Sequence, residues 1–355
     1  MTASFSHLSS LVLLGGMLVA FGTSCSSDNQ VPAGSEGSGA TGGTTGGGTG
    51  GSSASTSGGN AGNATAPPAV GNFTVRLVPP DPSTSTPGYT TFLGVVRDGP
   101  PNEGVLWDLV SELGGCQLVK PRIPFCDPPC ATGQTCVADG VCRPDPAPHS
   151  VGTVTLKGLT TSPASTEIVM NPVAPGFVYQ PAASVNIDYP PASEGAEIAV
   201  STSGGDYPAL QLKATGIVPL ELLGSDPVPM PSGQPMALSW TPKGSAGKSR
   251  IQVKVEISHH GGAKGAINCD VEDTGSLSVA DSLVTGLINL GVAGFPTVTL
   301  SRVSTGSFDI APGRVDLLVV DTVQRSLSIP GFVSCTTNAD CPSGQTCTST
   351  RLCGT

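Results

Sequence analysis

Apolar and polar residues alternate along several short segments between residues 73 and 320, and glycine, proline and Asp-Thr pairs separate those segments. A period of two puts successive side chains on opposite faces of a β-strand, so the pattern predicts strands that each bury one face. Many short strands divided by turn residues are typical of a sandwich or barrel. The predicted strands are 73–78, 153–156, 197–200, 210–213, 250–257, 297–300 and 314–320.

Two other segments favour short helices that connect the strands. They are Glu103–Leu113 and Val279–Leu290, and in the second of them three leucines recur at helical spacing. Ser278 stands where a capping side chain is expected. The chain is therefore predicted to be all-β, with a β-sandwich body of immunoglobulin-like or related type and two helices packed on its sheets.

Eight of the eleven cysteines form two groups of four that share the sequence Gly-Gln-Thr-Cys. The groups are Cys126, Cys130, Cys136 and Cys142, and Cys335, Cys341, Cys347 and Cys353. Each group resembles the small Cys-rich repeats of extracellular proteins, which implies a two-disulfide module with a structural or interaction role. Zinc binding normally uses Cys-x2-4-Cys pairs, and thiolates oxidise in exported proteins, so disulfides are favoured. Three pairings stay open for each module.

An apolar run at residues 11–22 is too short to cross a bilayer, which needs about 20 apolar residues. It is followed by Gly22-Thr23-Ser24-Cys25, which resembles the lipobox of bacterial lipoproteins. The resemblance implies that residues 1–24 are a signal peptide and that Cys25 carries lipid. Ser26 after the cysteine is similar to the outer-membrane sorting class. An ordinary cleaved signal peptide is the alternative.

Residues 25–71 are dominated by glycine, serine, threonine and alanine. Such a segment buries too little apolar surface to offset the entropy of ordering, so we predict a disordered tether. A tether is useful when one end is fixed, which agrees with lipid attachment at Cys25.

Cys116 and Cys269 are the two cysteines that remain after Cys25 and the two modules are set aside. An exported protein seldom keeps two free thiols, so we predict a disulfide between them. On the chain-entropy model, a bond that closes a loop of about 150 residues stabilises the fold by about 4–5 kcal/mol.

These predictions divide the chain into six regions. They are a signal peptide (1–24), a tether (25–71), N-terminal strands with a short helix (72–125), an inserted Cys-rich module (126–142), the main sandwich (143–332) and a second Cys-rich module (333–355).

The sequence Asp273-Thr274-Gly275-Ser276 resembles the active-site motif of aspartic proteases, which use two carboxylates that share a proton. A single-chain enzyme needs a second such motif, and this sequence has none. A retroviral-type dimer needs one copy, but it is normally preceded by apolar residues, and here Cys269-Asp270-Val271-Glu272 precede it. A turn between strands is the favoured interpretation, with Asp273 a weak catalytic candidate.

His259 and His260 are adjacent, and neighbouring residues on a strand point to opposite faces. In a loop, one of them could join Asp270, Glu272 or Asp273 in a hydrolase site or a metal site, so these are weak candidates. The sequence around Gly244–Ser249 is similar to the end of a phosphate-binding loop. However, Pro242 replaces the first glycine and a strand follows, which excludes that function.

The chain has a formal net charge of −10 and lacks a basic run, which disfavours nucleic acid as a partner. No nucleotide or other cofactor is predicted. We expect a non-catalytic protein, anchored by lipid to the outer membrane, with a binding, adhesion or structural role toward an envelope protein or glycan. The alternatives are an envelope hydrolase that uses residues 259–276 and an accessory factor for envelope assembly or secretion.

Overall fold

A computed structural model of the chain describes residues 66–81, 85–241, 247–260, 262 and 264–355. The predicted signal peptide, the lipidation site Cys25 and most of the predicted tether lie outside these residues. The first strand begins at Ala69, two residues before the tether was predicted to end. The described residues fall within one compact unit, and the fold is all-β as predicted.

Eleven strands lie in the first half of the described chain. They are β1 (Ala69–Val78), β2 (Tyr89–Arg97), β3 (Leu106–Leu113), β4 (Cys116–Arg122), β5 (Gln134–Ala138), β6 (Val141–Pro144), β7 (Pro148–His149), β8 (Val154–Lys157), β9 (Thr161–Ser162), β10 (Glu167–Met170) and β11 (Asn186–Ile187).

The second half contains the remaining described elements. They are β12 (Glu197–Thr202), β13 (Gln211–Thr215), β14 (Glu221–Leu222), β15 (Val228–Pro229), β16 (Met236–Thr241), β17 (Arg250–Glu256), β18 (Ala266–Glu272), β19 (Ser276–Val279), α1 (Asp281–Asn289), β20 (Thr297–Ile310), β21 (Gly313–Ser328), a 3-10 turn (Asn338–Asp340), β22 (Thr346–Cys347) and β23 (Cys353–Gly354).

One large sheet runs through the molecule in the order β3-β4-β18-β17-β20-β21-β1-β2-β11-β9, with β15 beside β21 and β7 beside β2. A four-stranded sheet, β10-β8-β12-β13, and a three-stranded sheet, β14-β16-β19, complete the body. Strands β20 and β21 pair antiparallel along their whole length. They are long enough to take part in two separate hydrophobic cores.

The first core, here called the α1 core, lies between the β4–β18–β17–β20 part of the large sheet, the three-stranded sheet and α1. It includes Trp240, Val253, Leu283 and Leu300. The second, the aromatic core, lies between the β21–β1–β2 part and the four-stranded sheet. It includes Phe73, Phe92 and Tyr179, whose rings lie about 6 Å apart. Alternating inward residues of each strand supply both cores, as the period of two predicted.

Buried polar residues lie where the two cores meet, in the middle of β20 and β21. Arg302 and Asp321 are directly opposite each other and fully buried. Arg302 donates to the carbonyls of Val218 and Pro219, and Asp321 accepts from the backbone N–H of Leu220. These bonds fasten the segment that crosses from β13 to β14 over the middle of the large sheet.

The prediction of a helix at Glu103–Leu113 is wrong, because residues 106–113 form strand β3. Gly114 and Gly115 both have positive φ (62° and 75°) and make the two-residue turn of a hairpin between β3 and β4. The Gly-Gly pair is the sequence signal for this hairpin.

The second predicted helix is present as α1, which buries Leu283, Val284 and Leu287 against the sheet. Its cap was wrong. Ser278 lies in β19, opposite Ala237, and the residue before the helix is Ala280, which makes no side-chain capping bond.

A search of the described residues for a long apolar helix that could span a membrane finds none.

Candidate functional site

Asp273, from the protease-like motif, is a buried counter-ion for Arg302. Its two oxygens lie 2.6 Å and 3.2 Å from Nε and Nη2 of Arg302. The same carboxylate accepts hydrogen bonds from Trp240 Nε1 at 2.7 Å and from Ser249 Oγ at 2.8 Å. The carboxylate is thus committed to internal partners on both oxygens. The geometry assigns Asp273 a structural role in place of the weak catalytic one.

His259 and His260 lie far from Asp273. In the β17–β18 hairpin, Arg250 pairs with Glu272 at one end and Glu256 pairs with Ala266 at the other. The histidines follow Glu256, whereas Asp273 follows Glu272, so the length of a seven-residue strand, about 20 Å, separates them. The two rings contact each other, with centroids 4.0 Å apart. The prediction that residues 259–276 form one site is therefore wrong.

Asp270 and Glu272 do share a face, as their alternation predicted, but an arginine lies between them. Arg250 Nη1 is 2.7 Å from Glu272 Oε1, and Arg250 Nε pairs with Asp270. The guanidinium of Arg250 supplies to these two carboxylates the positive charge that a bound metal ion would otherwise supply. The weak metal candidates Asp270, Glu272 and Asp273 are thus divided between two arginines.

The ten cysteines from Cys116 to Cys353 form five disulfides. Cys116 bonds to Cys269, which is its direct partner on the neighbouring strand, and both are buried in the α1 core. In each module the first cysteine bonds to the third and the second to the fourth. The module bonds are Cys126–Cys136, Cys130–Cys142, Cys335–Cys347 and Cys341–Cys353. The sulfur atoms that lie close enough together to bind a metal are therefore all already in disulfide bonds.

Two of the clefts among the described residues are open and have mixed polar and apolar linings. One, of about 280 Å³, lies beside Asp98, Asn102, Arg143 and Asp145, where the first module leaves the body. The other, of about 340 Å³, is lined by residues that include Lys213, Lys248 and Ser304. Ligand sites are usually enclosed and mainly apolar. We therefore place the candidate site on the surface outside these clefts.

The exposed face that stands out is the free edge of the large sheet at β3. We call it the edge patch, and it consists of Leu109, Val110, Leu113, Ile123 and Phe125, all of which are between 46% and 76% exposed. The first three lie on β3, which has a neighbour on one side only. The other two lie just beyond β4, whose last residue, Arg122, pairs with the first residue of β3.

Charged residues and a bulge vary the chemistry of this edge. Asp108 pairs with Arg122 at 3.4 Å, and Glu112 is on the outermost strand beside Leu113. The pairing shifts register between Leu109 and Ser111, so Val110 is a bulge. Bulges and charges usually protect an edge from indiscriminate pairing. Here they accompany exposed apolar side chains, a combination that suits selective contact with a partner.

The edge patch was not predicted from the sequence, because most of this segment was expected to form a helix. The alternative signal was Gly114-Gly115 between two apolar segments, 106–113 and 116–119. Which strand becomes an edge depends on the order of strands in the sheet, and periodicity carries no information about that order.

Comparisons of this chain with family models, with curated proteins and with solved structures find no match.

Proposed function

We propose that this chain is a lipid-anchored protein of the bacterial cell envelope with a non-catalytic binding role, and that the edge patch is its binding surface. The observation that carries the proposal is the open β3 edge with its exposed apolar side chains. Exposed apolar side chains gathered on an edge strand of a folded protein are common at interaction sites. An open edge also offers unpaired backbone groups to which a partner can add a strand.

The five disulfides support the location. Disulfides of this number form and persist in oxidising compartments outside the cytoplasm. The lipobox-like sequence that ends at Cys25 supports attachment to the membrane, and the glycine- and serine-rich segment after it supports a tether. On this proposal the body reaches partners at a distance from the lipid anchor.

Site-specific photo-crosslinking in cells tests the binding surface. A photoreactive amino acid at Leu109 is expected to give discrete crosslinked products of higher mass. The matched control is Val169, which is 54% exposed on β10, an edge strand of the four-stranded sheet. Identical product patterns from both positions, or no product from Leu109, would contradict the assignment of the edge patch.

Mass spectrometry of the mature N-terminus tests the anchor. We expect residues 1–24 to be absent and the N-terminal Cys25 to carry diacylglycerol. Cys25→Ala should move the protein from the membrane fraction to the soluble fraction. Alanine has no thiol to carry diacylglycerol, and stable attachment depends on more than one acyl chain. An unmodified Cys25 thiol would rule out the anchor and leave the edge patch untouched.

A further inference from the structure

His149 lies between two carboxylates, one beside each of its ring nitrogens. Its Nδ1 is 3.2 Å from Oδ2 of Asp206, and its Nε2 is 3.7 Å from Oδ2 of Asp98. A neutral imidazole carries one N–H, so it presents that N–H to one carboxylate and a lone pair to the other. The doubly protonated ring presents an N–H and a positive charge to both. The arrangement therefore favours the protonated ring.

The histidine stands where three segments of the chain meet. It lies on β7, which pairs with the end of β2. Asp98 follows β2, and Asp206 belongs to the segment between β12 and β13. Each carboxylate also holds a backbone group, because Asp98 accepts from the N–H of Ala147 at 2.8 Å and Asp206 accepts from the N–H of Ser150 at 2.9 Å. The ring thus connects two carboxylates that are themselves fixed to the backbone.

Two of these segments form the connection between the body and the first Cys-rich module. We call residues 98–102 and 143–149 the neck, since the first leads away from β2 and the second returns from the module. At the far end of the neck, Asn102 Nδ2 donates to Asp145 Oδ1 at 3.0 Å, and Thr135 Oγ1 of the module donates to the same oxygen at 2.6 Å. At the near end, the histidine connects the neck to the body.

The groups packed against the ring keep their charge near neutral pH. Tyr207 contacts the ring edge-on, with centroids 5.7 Å apart, and donates its hydroxyl to the carbonyl of Arg97. Burial, and after it the charges of Asp98 and Asp206, raise the pKa of Tyr207 above its ordinary 10, so this ring stays neutral. The Ser150 N–H, and after it the histidine, lower the pKa of Asp206 below its ordinary 3.8.

Two more charged residues, Arg143 and Asp145, line the same cleft as Asp98. Hydrogen bonds from Thr135 and Asn102 lower the pKa of Asp145 below its ordinary 3.8. Carboxylates and arginines ordinarily keep their charge between pH 5 and pH 8, whereas histidine ordinarily changes its charge in that range. A change of pH in this range therefore acts on the junction through the histidine.

A metal ion suits this junction less well than a proton. The two carboxylates lie beside different ring nitrogens, so one ion cannot contact the ring and both of them. Among the described residues, the groups of three side chains that are placed to share an ion consist of cysteines. Zinc sites normally have three or four protein ligands. A proton satisfies both sides of the ring.

We propose that His149 is a pH-sensitive switch at the neck: the protonated ring holds both Asp98 and Asp206, and loss of a proton releases Asp98. The neutral ring keeps its N–H on Nδ1, because Asp206 is within hydrogen-bonding distance and Asp98 is not. Folding favours the protonated ring, so this stabilisation is fully present at the acidic end of the histidine range and is lost as pH rises through it. The inference does not depend on the proposed binding function.

Amide hydrogen exchange of the full mature chain, measured residue by residue with disulfides intact and EDTA present, tests the switch. After correction for the intrinsic effect of pH, exchange of the Ala147 N–H, which is bonded to Asp98, should become about two- to fivefold faster from pH 5.5 to pH 8. This is the size expected of a partly exposed ion pair. The Ser150 N–H, which is bonded to Asp206, should keep its rate. Equal acceleration of both amides, or none at Ala147, would overturn the proposal.

Two variants at position 149 separate the charge of the ring from its presence. His149→Gln is neutral at every pH, so exchange of the Ala147 N–H should be fast at both pH values. His149→Lys keeps its positive charge across the range, so exchange should stay slow at pH 8. Thermal unfolding and the masses of the disulfide-linked peptides verify that both variants fold. A pH dependence in His149→Gln equal to that of the natural chain would overturn the proposal.

A pair of carboxylate variants tests the partner. Asp98→Asn keeps an oxygen for the Ala147 N–H but removes the negative charge, so the exchange rate of that N–H should no longer depend on pH. The matched control is Glu167→Gln, which removes an exposed carboxylate paired with Lys157 at 3.2 Å. It should leave the pH dependence unchanged. Loss of the pH dependence in both variants would indicate a general effect of charge and would overturn the switch.

Discussion

The α1 core and the aromatic core share two long strands, yet they are stabilised and bordered differently. The α1 core is crosslinked by Cys116–Cys269 and receives Leu352 from the second Cys-rich module. The aromatic core contains no cysteine among its described members, and its centre is formed by Phe73, Phe92 and Tyr179.

The borders of the large sheet differ in the same way. Beyond the aromatic core the sheet ends in β9, which has two residues and is followed directly by Pro163. Beyond the α1 core it ends in β3, which has eight residues and no proline. Short strands and prolines prevent further pairing at an edge. The part of the sheet whose core is crosslinked therefore carries the open edge, and the part whose core contains no cysteine ends in a short, closed edge strand.

The largest expected effect comes from breaking the ion pair where the cores meet. Asp273→Ala leaves Arg302 buried without its carboxylate, so we expect the free energy of unfolding to fall by about 3–5 kcal/mol. Urea denaturation followed by far-ultraviolet circular dichroism measures the loss. We also expect the single transition to separate into two if this pair couples the cores.

The control for this prediction is Asp270→Ala, which removes an exposed ion pair with Arg250 near the same end of the hairpin. Exposed pairs contribute about 0–1 kcal/mol. Equal losses in the two variants would show that burial of the Arg302 pair does not matter to the connection between the cores.

The second effect concerns the crosslink of the α1 core. Replacing both Cys116 and Cys269 with alanine removes a bond between residues 153 positions apart, and we expect a loss of about 2–4 kcal/mol, the usual measured range, which is below the value from the chain-entropy model. The fluorescence of Trp240, buried in the same core, reports the unfolding. The matched variant replaces Cys126 and Cys136, which lie outside both cores. If the Cys126/Cys136 variant lowered the free energy of unfolding of the body as much as the Cys116/Cys269 variant does, the comparison between the two cores would be contradicted.

A smaller effect is a dependence of stability on pH at the junction of the cores. Burial raises the pKa of Asp321 above its ordinary 3.8, although the Leu220 N–H, the Thr322 N–H and the positive charges of Arg302 and Arg76 oppose the rise. A raised pKa in the folded state means that folding favours the protonated carboxyl. The contribution of Asp321 is therefore fully present below the ordinary pKa and is lost as pH rises through the folded-state pKa.

Asp321→Asn should remove this loss, because the amide is neutral at every pH and keeps an oxygen for the Leu220 N–H. We expect the unfolding free energy of the variant, relative to the natural chain, to increase from pH 4 to pH 8 in a series of denaturation curves. A constant difference across that range would mean that the pKa of Asp321 does not change when the chain folds.

The smallest effects on stability are expected at the two edges that carry exposed apolar residues. Leu109→Lys and Val169→Lys should each change the free energy of unfolding by less than about 0.5 kcal/mol, since both side chains are about half exposed. With a photoreactive amino acid at position 113, crosslinking should nevertheless decrease in the Leu109→Lys variant and stay unchanged in the Val169→Lys variant. Loss of crosslinks in both variants would remove the distinction between the β3 edge and the β10 edge.

Much of the architecture was predictable from local patterns. The alternation in segments such as 250–257 and 314–320 predicted strands that the structure contains as β17 and β21. The leucine spacing after Val279 predicted α1. The segment 103–113 was mistaken for a helix because the apolar residues of this exposed edge strand do not alternate regularly, and the bulge at Val110 disturbs the period further.

The candidate sites were less predictable. Asp273, Asp270 and His259 lie within fifteen residues of one another in sequence, and the hairpin places the histidine at the opposite end from the carboxylates. Arg302, the partner of Asp273, is 29 residues away along the chain. Side-chain type suggested catalysis, but burial and pairing decided a structural role.

The sequence alone determined the strand-forming segments, the two Cys-rich modules and the pairing of Cys116 with Cys269, the two cysteines left after the modules and Cys25 are set aside. These features depend on local periodicity and residue counts, which are properties of the chain in any conformation. Only the tertiary structure decided that β20 and β21 serve two cores and that β3 is an open edge. Strand order and burial arise from contacts between distant segments, because the free energy gained by burying a residue depends on what the rest of the chain places against it.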